Sequence, residues 1–128
     1  MDRYLLDTHT LIWYLSNDPK LPAKVADLLE NPDETLLVSV ASYWEMAIKL
    51  NLGKLVLPTS LEALMSLAQS KDILMLPISE VALLTTSTLP LHHRDPFDRM
   101  MIAQAMTDGL RVVSADEAFD AYGVERVW

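Results

Sequence analysis

The chain has 128 residues, half of them apolar (51%), and 18 acidic against 10 basic residues give it a net charge of −8. That is enough chain for one domain with a real core, and too apolar a chain for disorder. There is no cysteine, which excludes disulfides, thiol catalysis and thiolate metal sites and fits a reducing compartment. Apolar stretches stop well short of the ~20 residues a membrane helix needs. Met1 to Leu6 carries Asp2 and Arg3 ahead of a strand-like run and does not read as a signal peptide. A cytoplasmic protein without a membrane partner, folded as one domain over residues 1–128, is therefore expected. The acidity, with a pI near 4.6, argues against nucleic acid, whose phosphates call for Lys and Arg. The objection weakens where acids serve as metal ligands. An acidic surface also suits a basic protein partner.

In chain order, Tyr4-Leu5-Leu6 is a short apolar strand ending at Asp7, and Thr8 to Ser16 reads as a helix stopped by Asn17-Asp18-Pro19. Pro22 can open a second helix, to Glu30, from its first position. Thr35 to Val40 is a buried-strand pattern, and Ser42 to Leu50 a helix ended by Asn51-Leu52-Gly53. Thr59-Ser60-Leu61-Glu62 has the form of a capping box, with Thr59 as cap, for a helix to about Ser70. Ile73 to Pro77 is a strand, and Ser79 caps a helix to about Thr86. Asp95-Pro96-Phe97-Asp98 opens a helix to about Thr107 with Gly109 as its stop. Arg111 to Ser114 is a strand, Asp116 to Ala121 a helical turn, and Val124 to Trp128 a final strand. Short apolar strands alternating with helices predict an α/β protein with three α/β/α layers and a central parallel sheet.

In such sheets ligands gather beyond the carboxyl ends of the strands. Asp7 is the first residue past the first strand, and Asp116 lies just past the strand ending at Ser114. Glu45 sits about one turn into the helix after the second strand, and Asp98 lies in the first turn of a helix whose amino end faces the same edge. Four carboxylates drawn to one spot repel and raise each other's pKa. A hard divalent cation relieves this, and oxygen ligands without Cys select Mg²⁺ or Mn²⁺. Such a centre clamps a phosphodiester and activates water, so no Ser, Thr or Cys nucleophile is needed.

Each acid also has an ordinary reading. Asp7 can cap the helix that follows it, Glu45 can pair with Lys49 four residues on, and Asp116 can start the turn after it. Asp95, before Pro96, reads mainly as a cap and Asp98 mainly as a metal ligand.

At these residues the chain resembles the PIN-domain ribonucleases, and within them the VapC-type toxins of prokaryotic toxin–antitoxin pairs. Leu5-Leu6-Asp7-Thr8-His9 resembles the family's first motif. Ser42 to Lys49 with Leu52-Gly53-Lys54-Leu55 resembles the second-acid segment, and His93 to Arg99 continuing to Ala105 the third. Val113-Ser114-Ala115-Asp116 with Phe119 and Tyr122-Gly123-Val124 resembles the fourth. The resemblance covers essentially the whole chain. It implies a Mg²⁺- or Mn²⁺-dependent endoribonuclease on single-stranded or looped RNA, a homodimer, and inhibition by a cognate antitoxin protein. It places Asp7, Glu45, Asp98 and Asp116 as catalytic metal ligands, with Thr8 and Ser114 in support. His9 departs from the family's usual Asn, and Asp95 is an additional acid.

Around the acids, His92, His93 and Arg94 read mainly as a solvated loop, with phosphate contact or proton transfer as the alternative. Arg99 reads equally as a cation for substrate or as an ion-pair partner. Lys49 and Lys54 read as a solvated face. Trp13, Tyr14, Tyr43 and Trp44 read mainly as core or interface, and otherwise as base-stacking platforms. The seven methionines read as core filler or an adaptable interface. Two rivals stand beside the nuclease. A covalent phosphotransferase would want a second acid two residues after Asp7, where His9 stands. A non-catalytic binding module would keep the scaffold without needing the acids.

Overall fold

The computed structural model describes residues 2–128. Five parallel strands form one sheet: β1 (Arg3–Leu6), β2 (Thr35–Ser39), β3 (Leu74–Leu76), β4 (Arg111–Val113) and β5 (Arg126–Val127), in the order β3-β2-β1-β4-β5. Six α-helices connect them: α1 (Thr8–Leu15), α2 (Ala23–Glu30), α3 (Val40–Asn51), α4 (Leu61–Ser70), α5 (Glu80–Thr88) and α6 (Pro96–Asp108). A 3-10 turn, Glu117–Tyr122, precedes β5.

The sheet is parallel because helices, and between β4 and β5 the 3-10 turn, carry the crossovers, and it is apolar on both faces because helices cover both. Side chains alternate along each strand. Tyr4, Leu6, Leu36, Val38 and Val113 meet Leu11, Tyr14, Val25, Leu29, Met46 and Leu64 from α1 to α4 on one side. Leu5, Leu37 and Val112 meet Met101, Ile102, Ala105 and Phe119 on the other. A smaller cluster of Ala41, Ala82, Met100 and Ala103 joins α3, α5 and α6. The register pairs Leu5 with Leu37 and with Val112, so matched apolar rows run across the central strands. Successive strands step outward from β1 to β3 on one side, while β4 and β5 lie on the other. The order thus reverses between β1 and β4, and the crevice of a parallel α/β sheet opens at such a switch.

Several boundaries move by one or two residues from expectation. Val40 is helical, because the Ser39 hydroxyl accepts from the Ala41 amide and starts α3 there. Ala23 is the first residue of α2, with Pro22 at the cap position. The cap of α4 is Ser60, not Thr59: it accepts from the Ala63 amide at 3.1 Å, and Glu62 then falls one residue too early for a capping box with Ser60. Gly109 closes α6 in the left-handed conformation (φ +64°) that favours glycine.

Replacing Ser60 with Ala is expected to cost about 1 kcal/mol in urea unfolding, since a lost cap leaves an amide unsatisfied. Thr59→Ala is expected to change little. Equal costs for the two would show that the helix starts elsewhere.

Candidate active site

The four acids meet at the carboxyl edge, each positioned by its own element. Asp7 follows β1 directly and caps α1, with Oδ1 accepting from the Thr10 amide at 2.8 Å. Its Oδ2 accepts from the Ser114 hydroxyl across the sheet, and its own amide donates to the Val113 carbonyl at 3.2 Å. The Thr10 hydroxyl donates to the same carbonyl at 2.9 Å, pinning the start of α1 to the end of β4. Glu45 lies in the second turn of α3, and only 5% of it is exposed. Its two oxygens accept from the Thr8 hydroxyl and the Lys49 ammonium, each at 2.6 Å. That hydrogen bond to Glu45 holds Lys49 above its ordinary pKa, against the effect of burial. Glu45 thus makes the ion pair with Lys49 and, with its other oxygen, touches the first residue of α1.

Asp98 is the third residue of α6 and Asp116 caps the 3-10 turn, accepting from the Ala118 amide at 2.9 Å. The Asp116 amide donates in turn to the Ser114 hydroxyl at 3.0 Å. Ser114 thus links the first acid to the fourth, as Thr8 links the first helix to the second acid. Asp95 is a full helix cap: its Oδ1 accepts from the Phe97 and Asp98 amides at 2.9 and 3.0 Å. Burial pushes Asp98 up to about 7, and the negative charges of Asp95, Glu45 and Asp7 add to the shift against the opposing effect of His93.

His93 is not in a solvated loop. Its Nε2 stands 2.8 Å from Asp98 Oδ2 and 3.6 Å from Asp116 Oδ2. The approach is that of an ion pair, off the line of a hydrogen bond. The three groups offer ligand atoms all within 4.8 Å of one another. Nδ1, however, accepts from the Asp95 amide at 3.3 Å, which puts the proton of a neutral ring on Nε2. In this arrangement His93 turns an N–H rather than a lone pair towards the two carboxylates, so it is placed as a proton carrier beside them and not as a ligand.

The PIN domain family model matches residues 4–125. The chain belongs to the PIN domain family. Members of this family are generally nucleases and typically use a divalent metal. The PIN fold is shared with a chain in the crystal structure of VapBC2 from Rickettsia felis bound to a promoter DNA fragment (TM-score 0.69, 14% identity, covering 98% of this chain and 97% of that one). It is shared as well with VapBC-1 from nontypeable Haemophilus influenzae (0.70, 21%, 98% and 96%) and with FitAcB from Neisseria gonorrhoeae (0.64, 18%, 98% and 96%). At these identities the likeness is one of fold. No curated protein sequence matches the chain significantly.

Other residues of this PIN domain fall differently from expectation. Arg99 neither faces the crevice nor pairs with an acid. Its guanidinium donates to the carbonyls of Thr86, Leu89, Pro90 and His93 at 2.9 to 3.2 Å. With Tyr122, whose hydroxyl takes the His93 amide and donates to the Pro90 carbonyl, each at 2.7 Å, it sets the loop that delivers His93. Nothing local in the sequence marked this, because the four carbonyls come from the end of α5 and the loop after it, which fold back on α6. Tyr14 and Tyr43 are core, as expected. Trp44 is not, being 61% exposed. His9 is exposed and rests on Trp13, ring centres 5.8 Å apart, beside a small cavity lined also by Asp7 and Asp116. His92 lies edge-on to the Tyr122 ring, and Lys54 is exposed.

The donor set fits a hard divalent ion. It is carboxylate oxygen, and burial together with the neighbouring acids holds the Asp98 pKa up at about 7, which a cation would reverse. This burial beside other acids has a sign that can be checked. Asp98 binds its proton at about 7 when folded and near 3.8 when unfolded, so the metal-free protein loses stability as pH rises between those values. Asp98→Asn is therefore expected to be more stable than the parent in EDTA above pH 7, by up to a few kcal/mol, with the gap closing towards pH 4. Thermal unfolding across pH measures it. A constant gap would show that the folded protein does not raise the Asp98 pKa.

Proposed function

We propose that this PIN domain is a metal-dependent endoribonuclease, the toxin of a toxin–antitoxin pair. In this reading it acts in the cytoplasm as a homodimer of single-domain chains and is neutralised by a cognate antitoxin protein. The observation that carries the nuclease is the gathering of Asp7, Glu45, Asp98 and Asp116 from four separate elements at one sheet edge, with Asp98 pushed up to about 7 by burial and its acidic neighbours. The toxin assignment is supported by the family match and by the VapBC and FitAcB complexes that share the fold.

In the proposed mechanism the four carboxylates hold Mg²⁺ or Mn²⁺. Such an ion, when bound, would supply positive charge for the phosphoryl oxygens and lower the pKa of water. The rest falls to side chains already in place. Ser114 and Thr8 fix Asp7 and Glu45 in orientation, while the Thr10 amide and the Lys49 ammonium take one lone pair of each second oxygen, so every oxygen keeps a lone pair for an ion. Lys49 offsets part of the charge of Glu45. Water adds to phosphorus as the ester bond to the leaving oxygen breaks. That oxygen needs a proton, and the Nε2 proton of His93 sits beside Asp98 and Asp116, where it can be delivered.

The deciding measurement is cleavage of a labelled structured RNA with Mg²⁺ or Mn²⁺, with EDTA, and with Asp7→Asn and Asp98→Asn. Asn keeps a helix cap, so Asp7→Asn removes charge without the helix start. Cutting that needs metal and is lost in both variants is the expected outcome. Cutting that survives both would place the site elsewhere, and no cutting by folded, antitoxin-free protein would leave a binding scaffold. Ser114→Ala and Thr8→Val are expected to lower activity or metal affinity by roughly ten- to a hundredfold, as losses of ligand-orienting partners do.

A further inference from the structure

Beside the acids lies a pocket that the reaction as described does not use. Its volume is about 420 Å³, and its walls include Trp44, Ile78, Arg94, Pro96, Phe97 and Met100. Trp44 precedes Glu45 on α3, and Phe97 precedes Asp98 on α6. The two helices that bring acids to the crevice therefore bring an aromatic pair to its flank. The rings meet edge to face at 5.6 Å and 84°, which leaves a face of the exposed Trp44 indole free.

Arg94 stands at the rim. The neighbouring cations are engaged: Lys49 holds Glu45, and Arg99 holds loop carbonyls. Arg94 is exposed and has no ion pair or hydrogen bond among the described residues. A flat apolar slot with a free guanidinium at its edge, one residue from two carboxylates, matches an unpaired base with its phosphate. The volume suits one base and is too small for a packed helix. The overall charge also calls for such a contact. A chain of −8 draws little affinity from its field, whereas stacking on an aromatic ring survives salt and takes any base.

We propose that this pocket is a nucleobase subsite, in which a base flanking the cut phosphodiester stacks on Trp44 while Arg94 holds the adjoining phosphate. The proposal rests on the nuclease reading and names how its substrate is gripped.

The test pairs binding with turnover. Binding of a single-stranded RNA carrying 2-aminopurine is followed by fluorescence in protein bearing Asp98→Asn to stop cutting, with and without Trp44→Ala. The parent and Trp44→Ala are then compared for KM and kcat with Mn²⁺. Losing the stack is expected to weaken binding and raise KM by roughly tenfold, with kcat little changed, and Trp44→Phe is expected to restore most of the loss. An oligomer with an abasic position at the subsite should not distinguish the two. Arg94→Ala should raise KM and flatten its salt dependence. Unchanged affinity and KM in Trp44→Ala would overturn the proposal. If that variant also turned a dimer into a monomer in sedimentation, the pocket would be an interface between copies of the chain. Trp44-dependent binding without metal-dependent cutting would instead retire the nuclease reading and leave the subsite standing.

Discussion

The carboxylates at the edge of this sheet repel one another, and the surrounding structure is organised to hold them there. Asp7 and Glu45 are almost wholly buried, and Asp98 has lost enough hydration, beside enough negative charge, to be held near neutrality. Nothing between the acids themselves would gather them. The gathering is imposed by β1, β2 and β4, whose parallel course sends the segments bearing Asp7, Glu45 and Asp116 out on one side, by α6, whose first turn carries Asp98, and by the core that covers both faces of the sheet. The burial of those apolar rows offsets a charge arrangement that is unfavourable on its own. A cluster kept at such a cost is a reasonable place to look for function.

Hydroxyls do much of the fastening. Ser114 touches both Asp7 and the amide of Asp116, so the ends of β1 and β4 are tied at the switch point of the sheet. Thr8 ties α1 to Glu45, and Thr10 ties α1 to β4. These residues are small, buried and fully engaged, so they fix carboxylate orientation without adding charge. The ordinary and the functional readings of the acids also turn out to be compatible. Asp7 caps a helix with one oxygen and takes the Ser114 hydroxyl with the other, and Asp116 caps its turn with Oδ1 while Oδ2 faces His93.

The loop from Pro90 to Asp95 is the second organised region. Arg99 gathers its carbonyls, Tyr122 bridges it to the 3-10 turn, and the Asp95 amide fixes the ring of His93. The outcome is one imidazole aimed at two acids. A guanidinium spent on backbone carbonyls brings no charge to substrate, yet it sets where a neighbouring proton carrier stands. The proposed functions of His93 and of the Trp44 slot both depend on this loop and on the start of α6 that it feeds.

Much of this was legible in the sequence, because the signals were local. Apolar runs ending in Asp or Ser marked β1 and β4, the stretch Asp95-Pro96 marked a helix start, and Gly109 marked its end. Alternation of strand and helix was enough for a parallel α/β sheet and for the edge on which Asp7, Glu45, Asp98 and Asp116 emerge. The choice between neighbouring hydroxyls was not legible. Ser60 rather than Thr59 caps α4, and Ser39 starts α3 early, since either residue type can accept an amide and the path of the incoming chain selects which one does. Nor could the sequence place His93 against the acids, spend Arg99 on carbonyls, or leave Trp44 outside while Tyr43 went in. Those outcomes rest on contacts between segments far apart in the chain, as Ser114 and Asp7 are, and only the packed sheet brings such partners together.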